Sequence, residues 1–296
     1  VAENVQDIKR RIKSVNSTKQ ITHAMELVAS AKLRKSRELA EGRRPYFEAM
    51  IESMGRIVEK SGNTRNIYMK QREVKKVAYI VITGDKGLAG GYNVNVAKLV
   101  EDHVANKEDA VIYTVGSRGR DHFRNRYYDI QGEYLGISER PTFFNAKEIT
   151  GVVMEGFKNG DYDEVYIAYT KFVSTIAQHA QLMKLLPISA EDLKPEEKDG
   201  AGEVAVIDSE LTIMAYEPEP EELLGLLIPN FVSSTVYGSM IESAASEQGA
   251  RRTAMESATT NANEMIDGLT LKYNRVRQAA ITQEISEIVG GAEALR

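Results

Sequence analysis

The 296-residue chain has no cysteine and no tryptophan, only seven phenylalanines, and only four histidines, His23, His103, His122 and His179. Without cysteine there is no disulfide framework, zinc finger, iron–sulfur cluster or thiol nucleophile. The histidines show no HExxH spacing, which argues against a His-rich metal site. No run approaches the ~18 apolar residues of a membrane span. Hydrophobic residues make up 42% of the chain and charged residues 27%. That composition suits one modest core plus a long amphipathic surface, not a single deeply packed globule. The net charge of −5 argues against bulk affinity for nucleic acid. Residues 1–37 are rich in Arg and Lys, as a mitochondrial transit peptide would be, but Glu26, Glu38 and Glu41 interrupt that composition. The helical pattern also continues past Met54. The chain reads as a protein of a reducing compartment, soluble or peripheral.

Proline is scarce where helices are expected. Residues 1–60 hold one, Pro45, and two glycines, Gly42 and Gly55. Val5, Ile8, Ile12, Val15, then Ile21, Met25 and Val28, and later Phe47, Met50, Met54 and Ile57 follow a three/four spacing. This predicts a helix packed along one seam, with a bend expected at Gly42-Arg43-Arg44-Pro45. Residues 74–216 differ in character. Val77–Ile82 and Ala110–Val115 read as buried strands, and Glu164–Tyr169, Ile176–Leu186 and Val206–Tyr216 as further strands. Helices are expected near Val94–Val104, Arg118–Arg126 and Ala146–Phe157. Strands alternating with helices imply βαβ units and a largely parallel sheet, interrupted by an exposed acidic loop at 191–203.

From Pro218 the pattern is helical again. Pro218 and Pro220 among glutamates suit a helix start, and Pro229 is expected to kink its first turns. Ala244, Gln248, Arg251, Met255, Ala258, Ala262, Met265, Leu269, Val276 and Ala279 trace a small-residue seam. At ~1.5 Å per residue the proline-free stretch implies a helix of roughly 100 Å. Neither terminal helix can bury its stripe alone, so the two are expected to pair antiparallel, with the α/β segment inserted between them. The organisation is then an N-terminal coiled-coil helix over 1–60, an α/β foot domain over 74–216 and a C-terminal coiled-coil helix over 217–296.

Three features bear on function. The stretch Thr83-Gly84-Asp85-Lys86-Gly87-Leu88-Ala89-Gly90-Gly91-Tyr92-Asn93 lies between a strand and a helix, where phosphate loops occur. Its glycine spacing fits neither GxGxxG nor Walker A, so a tight turn contacting a partner is the plainer reading. The first helix carries Lys9, Arg10, Arg11, Lys13, Lys19, Lys32, Arg34, Lys35, Arg37, Arg43 and Arg44. That charge is compatible with a solvated face, an anionic membrane, nucleic acid or an acidic protein surface. The absence of aromatics from residues 1–45 weakens single-strand stacking. At the far end, Ile281, Ile285, Ile288 and Val289 make an apolar face where the first helix is expected to have ended already; such a tip seeks a socket. No Ser/His/Asp arrangement or GxSxG motif is present, and no residue pattern calls for a cofactor or metal.

The segment Ile281–Leu295 (ITQEISEIVGGAEAL) resembles the signature of the gamma subunit of F-type ATP synthases. Ile8–Val15 and Thr18–Ala29 resemble that family's N-terminal helix. Gly84–Asn93 resembles its central loop, departing from the frequent Ser-Asp-Arg-Gly-Leu-Cys-Gly form at Gly84, Lys86 and Ala89. The resemblance spans the whole chain. It implies an antiparallel coiled coil of long N- and C-terminal helices flanking a Rossmann-like α/β domain, in the class α/β. The implied role is a non-catalytic central rotor shaft that couples proton-driven rotation of the c-ring to conformational change in catalytic beta subunits. Implied partners are the alpha and beta subunits, with one gamma per α3β3 ring, the epsilon subunit and the membrane c-ring. Nucleic acid, direct lipid insertion and any cofactor are not implied. The bacterial style of the motifs places the chain peripherally, on the cytoplasmic face of the cell membrane. Carried over residue by residue, Met25 and Arg251 match positions facing the moving beta domains. Arg277 and Gln278 match positions meeting a beta loop, and Thr282 and Glu287 lie in the coupling region. Arg10, Arg11 and Lys13 are candidate electrostatic contacts to acidic beta levers, and Asp85, Lys86 and Gly87 form the foot loop.

Overall fold

A computed structural model describes residues 4–61, 66–175, 177–189, 191–193 and 220–294. The elements run α1 (Val5–Ser61), β1 (Val77–Ile82), α2 (Tyr92–His103), β2 (Ala110–Val115), α3 (Ser117–Arg124), β3 (Asp129–Tyr134), α4 (Phe143–Asn159), β4 (Glu164–Phe172), β5 (Gln178–Leu186) and α5 (Pro220–Ala294). The strand expected over Val206–Tyr216, and most of the acidic loop expected over 191–203, lie outside the described residues. The chain forms two compact units, Val1–Ala31 with Arg251–Arg296, and Lys32–Ala250.

In the larger unit five strands lie in the order β3-β2-β1-β4-β5. The first four are parallel and β5 returns antiparallel beside β4. Val77-Ala-Tyr-Ile-Val-Ile is a continuous apolar run because both faces of β1 are covered, as expected of a central parallel strand. On one face Tyr79, Val81 and Ile112 pack against Val96, Ala97 and Val100 of α2 and Phe123 of α3. On the other, Ala78, Ile80, Ile82, Tyr113 and Ile167 join Ile149, Val153 and Phe157 of α4. That same cluster takes in Met50, Met54 and Ile57 of α1 and Ile228, Phe231, Val232 and Val236 of α5. Here the long helices are part of the α/β core itself.

α4 begins with a capping box, Thr142 Oγ1 accepting from the Asn145 amide at 3.2 Å while Asn145 Oδ1 accepts from the Thr142 amide at 3.0 Å. It ends on Gly160 in the left-handed conformation (φ 85°), which glycine adopts without steric cost. α5 lays serines against its neighbours. Ser243 Oγ accepts from the Thr170 amide at 3.1 Å, and Ser246 Oγ donates to the Thr170 carbonyl at 3.0 Å. Ser233 and Thr150 share a 2.7 Å hydroxyl contact with α4. Small hydroxyl residues thus let α5 approach closely while satisfying backbone groups at the end of β4.

α1 continues through Pro45, and α5 through Pro229, without termination of either helix. Within the larger unit the two run antiparallel, Arg43 meeting Tyr237 and Phe47 meeting Phe231. By length and composition α5 contains an 18-residue window apolar enough to cross a membrane. Two thirds of it (67%) is buried inside the protein, as in the core helix of a soluble protein.

Candidate functional site

In the smaller unit the buried and half-buried positions of α1 include Val5, Ile8, Ile12, Val15, Lys19, Thr22, Glu26 and Ala29. Those of α5 include Met255, Thr259, Ala262, Ile266, Leu269, Tyr273, Val276 and Ala280. Both sets alternate steps of three and four, the heptad spacing of an antiparallel coiled coil. Thr22 Oγ1 and Thr259 Oγ1 meet at 2.7 Å and fix the register. The seam corrects the sequence reading in detail. Ile21 and Val28 point outward, 60% and 54% exposed, and Met265 is 55% exposed, its place taken by Ile266. Small and polar residues at Thr22, Ala29 and Ala262 leave room for close approach without requiring apolar side chains there.

Counted from Thr22 and Thr259, the first residue of α1, Val5, reaches Val276. Beyond Ala280, residues 281–292 of α5 are all exposed. Ile281, Ile285, Ile288 and Val289 are 47%, 56%, 72% and 56% exposed. The positions carried over by resemblance divide by burial. Arg251 is buried and Met25 half-buried, both inside the seam region. Arg277, Gln278, Thr282 and Glu287 are exposed. Arg277 lies 6.0 Å from the Tyr273 ring, Thr282 Oγ1 donates to the Gln278 carbonyl at 2.9 Å, and Gln283 Nε2 donates to Glu287 at 3.0 Å. Arg10, Arg11 and Lys13 are exposed, Arg10 pairing with Asp7 one turn away.

The basic residues of α1 do not form one surface. Arg34 and Arg37 make exposed i,i+4 pairs with Glu38 and Glu41. Lys19, Lys32 and Arg43 turn inward instead.

The glycine-rich loop after β1 is held from several sides. The Gly84 amide donates to Asn93 Oδ1 at 2.7 Å, and the Asp85 amide donates to Ser138 Oγ at 3.1 Å. Asp85 accepts in return from Ser138 Oγ at 2.8 Å and from the Ser117 amide at 3.1 Å. A methyl group on Gly84 would lie 2.9 Å from the Glu247 carboxylate of α5, and one on Gly87 would lie 3.2 Å from Arg118. Lys86 Nζ donates to Glu139 Oε1 at 3.0 Å, and Lys32 Nζ from α1 donates to Glu139 Oε2 at 2.8 Å. The Lys32 bond, and to a smaller extent the Lys86 bond, hold the Glu139 carboxyl at about 2, against the opposing effect of burial. Two amides and the lysine that a phosphate would need are therefore already engaged by the protein. Glu139, Ser138 and the inward turn of Lys32 had no local signature in the sequence.

The histidines are dispersed. His103 Nδ1 meets the Tyr79 hydroxyl at 2.8 Å, and His122 lies 3.3 Å from Glu101. His23 sits 3.4 Å from Glu26 on the exposed side of α1, and His179 pairs across the sheet with Lys171. Among the described residues no three His, Asp or Glu side chains gather to hold a metal.

The fold and these surfaces define a class: a coiled-coil protein whose two terminal helices also build the core of an inserted α/β domain. A family model described as ATP synthase matches residues 4–295. The "ATP synthase gamma chain, sodium ion specific" of Acetobacterium woodii is 84% identical over the full length of both chains. The ATP synthase gamma chain of Alkaliphilus metalliredigens is 52% identical over 99% of each. Among solved structures, the fold is similar to a chain of the Euglena gracilis mitochondrial ATP synthase at 17% identity and a TM-score of 0.68, covering 98% of this chain and 94% of that one. A chain of the Tetrahymena thermophila mitochondrial central stalk and c-ring structure gives 24% identity and a TM-score of 0.60, covering 80% of this chain and 99% of the other. The chain belongs to the gamma subunits of F-type ATP synthases. Its fold is that of the central shaft.

Proposed function

We propose that the shaft stands with its coiled coil inside an alternating ring of three alpha and three beta subunits, one gamma per ring, and has no catalytic site of its own. The observation that carries this reading is the end of α5, unpartnered among the described residues, with four large apolar side chains exposed beyond the start of α1. An apolar tip of this kind is stable in water only at a cost, and a surrounding bearing removes that cost.

The physical logic follows from asymmetry. One helix pair cannot present the same face to three identical beta subunits, and a contact shifts a conformational equilibrium only by its differential affinity for the states. Converting one site from mostly open to mostly closed takes roughly 5 kcal/mol of differential contact energy. Arg10, Arg11 and Lys13, exposed on α1, supply positive charge toward acidic beta surfaces, and Met25, Arg251, Arg277, Gln278, Thr282 and Glu287 are the contact and coupling positions. Asp85, Lys86 and Gly87 form the foot loop, and the α/β domain meets the epsilon subunit and the membrane c-ring. The complex is peripheral, on the cytoplasmic face of a bacterial cell membrane. As zones of function, 1–60 and 217–296 serve as the shaft and 74–216 as the foot.

The resemblance implied proton-driven rotation. The name of the Acetobacterium woodii relative specifies sodium, and at 84% identity we propose sodium as the coupling ion here too. ATP hydrolysis by the membrane complex that rises with sodium at fixed pH supports this; indifference to sodium refutes it.

The test of the shaft reading is reconstitution with alpha and beta subunits, followed by light scattering and ATPase rate. One copy bound per α3β3 ring with altered turnover supports it. Failure to bind the ring, with stoichiometric nucleotide binding by the chain alone, overturns it. Reversing the charge at Arg10, Arg11 and Lys13 is expected to weaken coupling, and unchanged ion-driven synthesis would remove them from the mechanism.

A further inference from the structure

The segment between β3 and α4 carries a carboxylate that serves two elements at once. Glu139 Oε2 accepts from Lys32 of α1 at 2.8 Å, and its Oε1 accepts from Lys86 of the glycine-rich loop at 3.0 Å. Lys32 and Glu139 are partly withdrawn from solvent, with side chains 36% and 23% exposed, so the pair is screened less than a fully exposed pair. The neighbouring Ser138 is buried and both donates to and accepts from Asp85, so residues 138 and 139 together grip two consecutive residues of the loop.

The loop needs holding. Leu88 has φ 63° and Gly90 φ 56°, and a leucine in that region persists only where its surroundings impose it. Leu88 is also 64% exposed, so no packing of its own side chain fixes it. What remains is the set of polar ties at the loop's base, and the Glu139 pair carries these ties to Lys32 of α1.

We infer that Glu139 is an electrostatic latch, a positioning residue that seats the glycine-rich loop on α1 so that the loop follows the helix when the helix turns. The second half of this inference rests on the shaft reading; the first does not. The arrangement is asymmetric in charge, two ammonium groups sharing one carboxylate. Replacing the carboxylate by the neutral amide of glutamine removes its charge and one of its two acceptors, and leaves Lys32 and Lys86 as like charges with no counter-charge between them. Removing Lys86 alone leaves the shorter Lys32 bond in place.

That asymmetry gives a test that ordinary loss of packing does not mimic. Glu139→Gln preserves shape and is expected to speed amide exchange at Gly84, Asp85 and Ser117 in the full chain by about tenfold, with the amides of β1 and β2 unchanged. Lys86→Gln is expected to have a smaller effect. The double variant Lys86→Gln/Glu139→Gln is expected to exchange more slowly than Glu139→Gln alone, because the second change removes the repulsion. Additive worsening, or exchange at these amides unaltered in Glu139→Gln, overturns the latch. In the assembled complex Glu139→Gln is expected to lower ion-driven synthesis about two- to threefold relative to hydrolysis. A loosened loop with an unchanged ratio overturns the transmission role while leaving the latch. Failure of the unmodified chain to assemble with the ring overturns the shaft reading instead.

Discussion

Arg43 occupies the space that a side chain on Gly238 would need: a methyl carbon there would overlap Arg43 Nη2. The guanidinium threads between α1 and α5 in the larger unit, 5.6 Å from the Phe47 ring and 5.4 Å from the Tyr237 ring. Its Nη1 donates to the Ser234 carbonyl at 2.8 Å, and Phe47 stacks on Phe231 at 5.9 Å. Burial lowers the Arg43 pKa, an effect that Glu242 and Tyr237 oppose. The pair therefore fixes the level at which one helix passes the other.

Gly238→Ala is expected to displace Arg43 and destabilise the chain by about 1–3 kcal/mol, the usual cost of overpacking. Arg43→Ala clears the same space, so adding Gly238→Ala to it should cost little more. Denaturant unfolding of the two single variants and the double checks this. Full additivity would show that the two residues do not compete for one space.

Glu139 sets a pH window. Its carboxyl is held at about 2 against an ordinary value of 4.5, so folding favours the ionised form. The stability it contributes is complete above the unfolded value and is lost as pH falls through the folded one. The difference in stability between the chain and Glu139→Gln should therefore be constant from pH 7 to about 5 and shrink toward pH 2. Denaturant midpoints at intervals across that range test it; a difference independent of pH contradicts it.

Tyr162 is buried, donates to the Val153 carbonyl at 2.6 Å, and leaves no room at Gly156, where a methyl carbon would lie 2.5 Å from its hydroxyl oxygen. Tyr162→Phe should cost about 0.5–1.5 kcal/mol, the worth of one hydrogen bond. Gly156→Ala should cost more in the chain with Tyr162 than in the Tyr162→Phe background. Thermal unfolding of the four combinations reads the difference.

The tip of α5 separates folding from assembly. Ile285 and Ile288 are exposed, so Ile285→Asp with Ile288→Asp should leave the stability of the isolated chain within about 0.5 kcal/mol. The same pair should weaken association with the alpha–beta ring by about tenfold or more, since charge would enter an apolar bearing. A large loss of chain stability, or undiminished association, counts against the tip's proposed role.

The sequence showed most clearly what depends on local pattern. β2 falls on Ala110–Val115 as the apolar run indicated, and α1 and α5 follow from long stretches poor in proline. β3 was missed because Asp129-Ile-Gln-Gly-Glu-Tyr is an edge strand with alternating exposure and an internal glycine, which carries little strand signal. The seam was misplaced at Ile21 and Val28 because apolar residues there face outward, while Thr22 and Ala29 make the contact. The latch was invisible for a different reason. Glu139 is 107 residues from Lys32 and 53 from Lys86, so only the fold brings them together.

In the proposed function this chain turns as one shaft within a ring of partner subunits. The most direct test is to fix purified alpha–beta ring assembled with the chain to a surface, attach a bead to the α/β domain and supply ATP. Stepwise rotation in one direction, with one copy of the chain per ring, is the expected result. Sustained ATP hydrolysis by the same assembly with a stationary bead would contradict it.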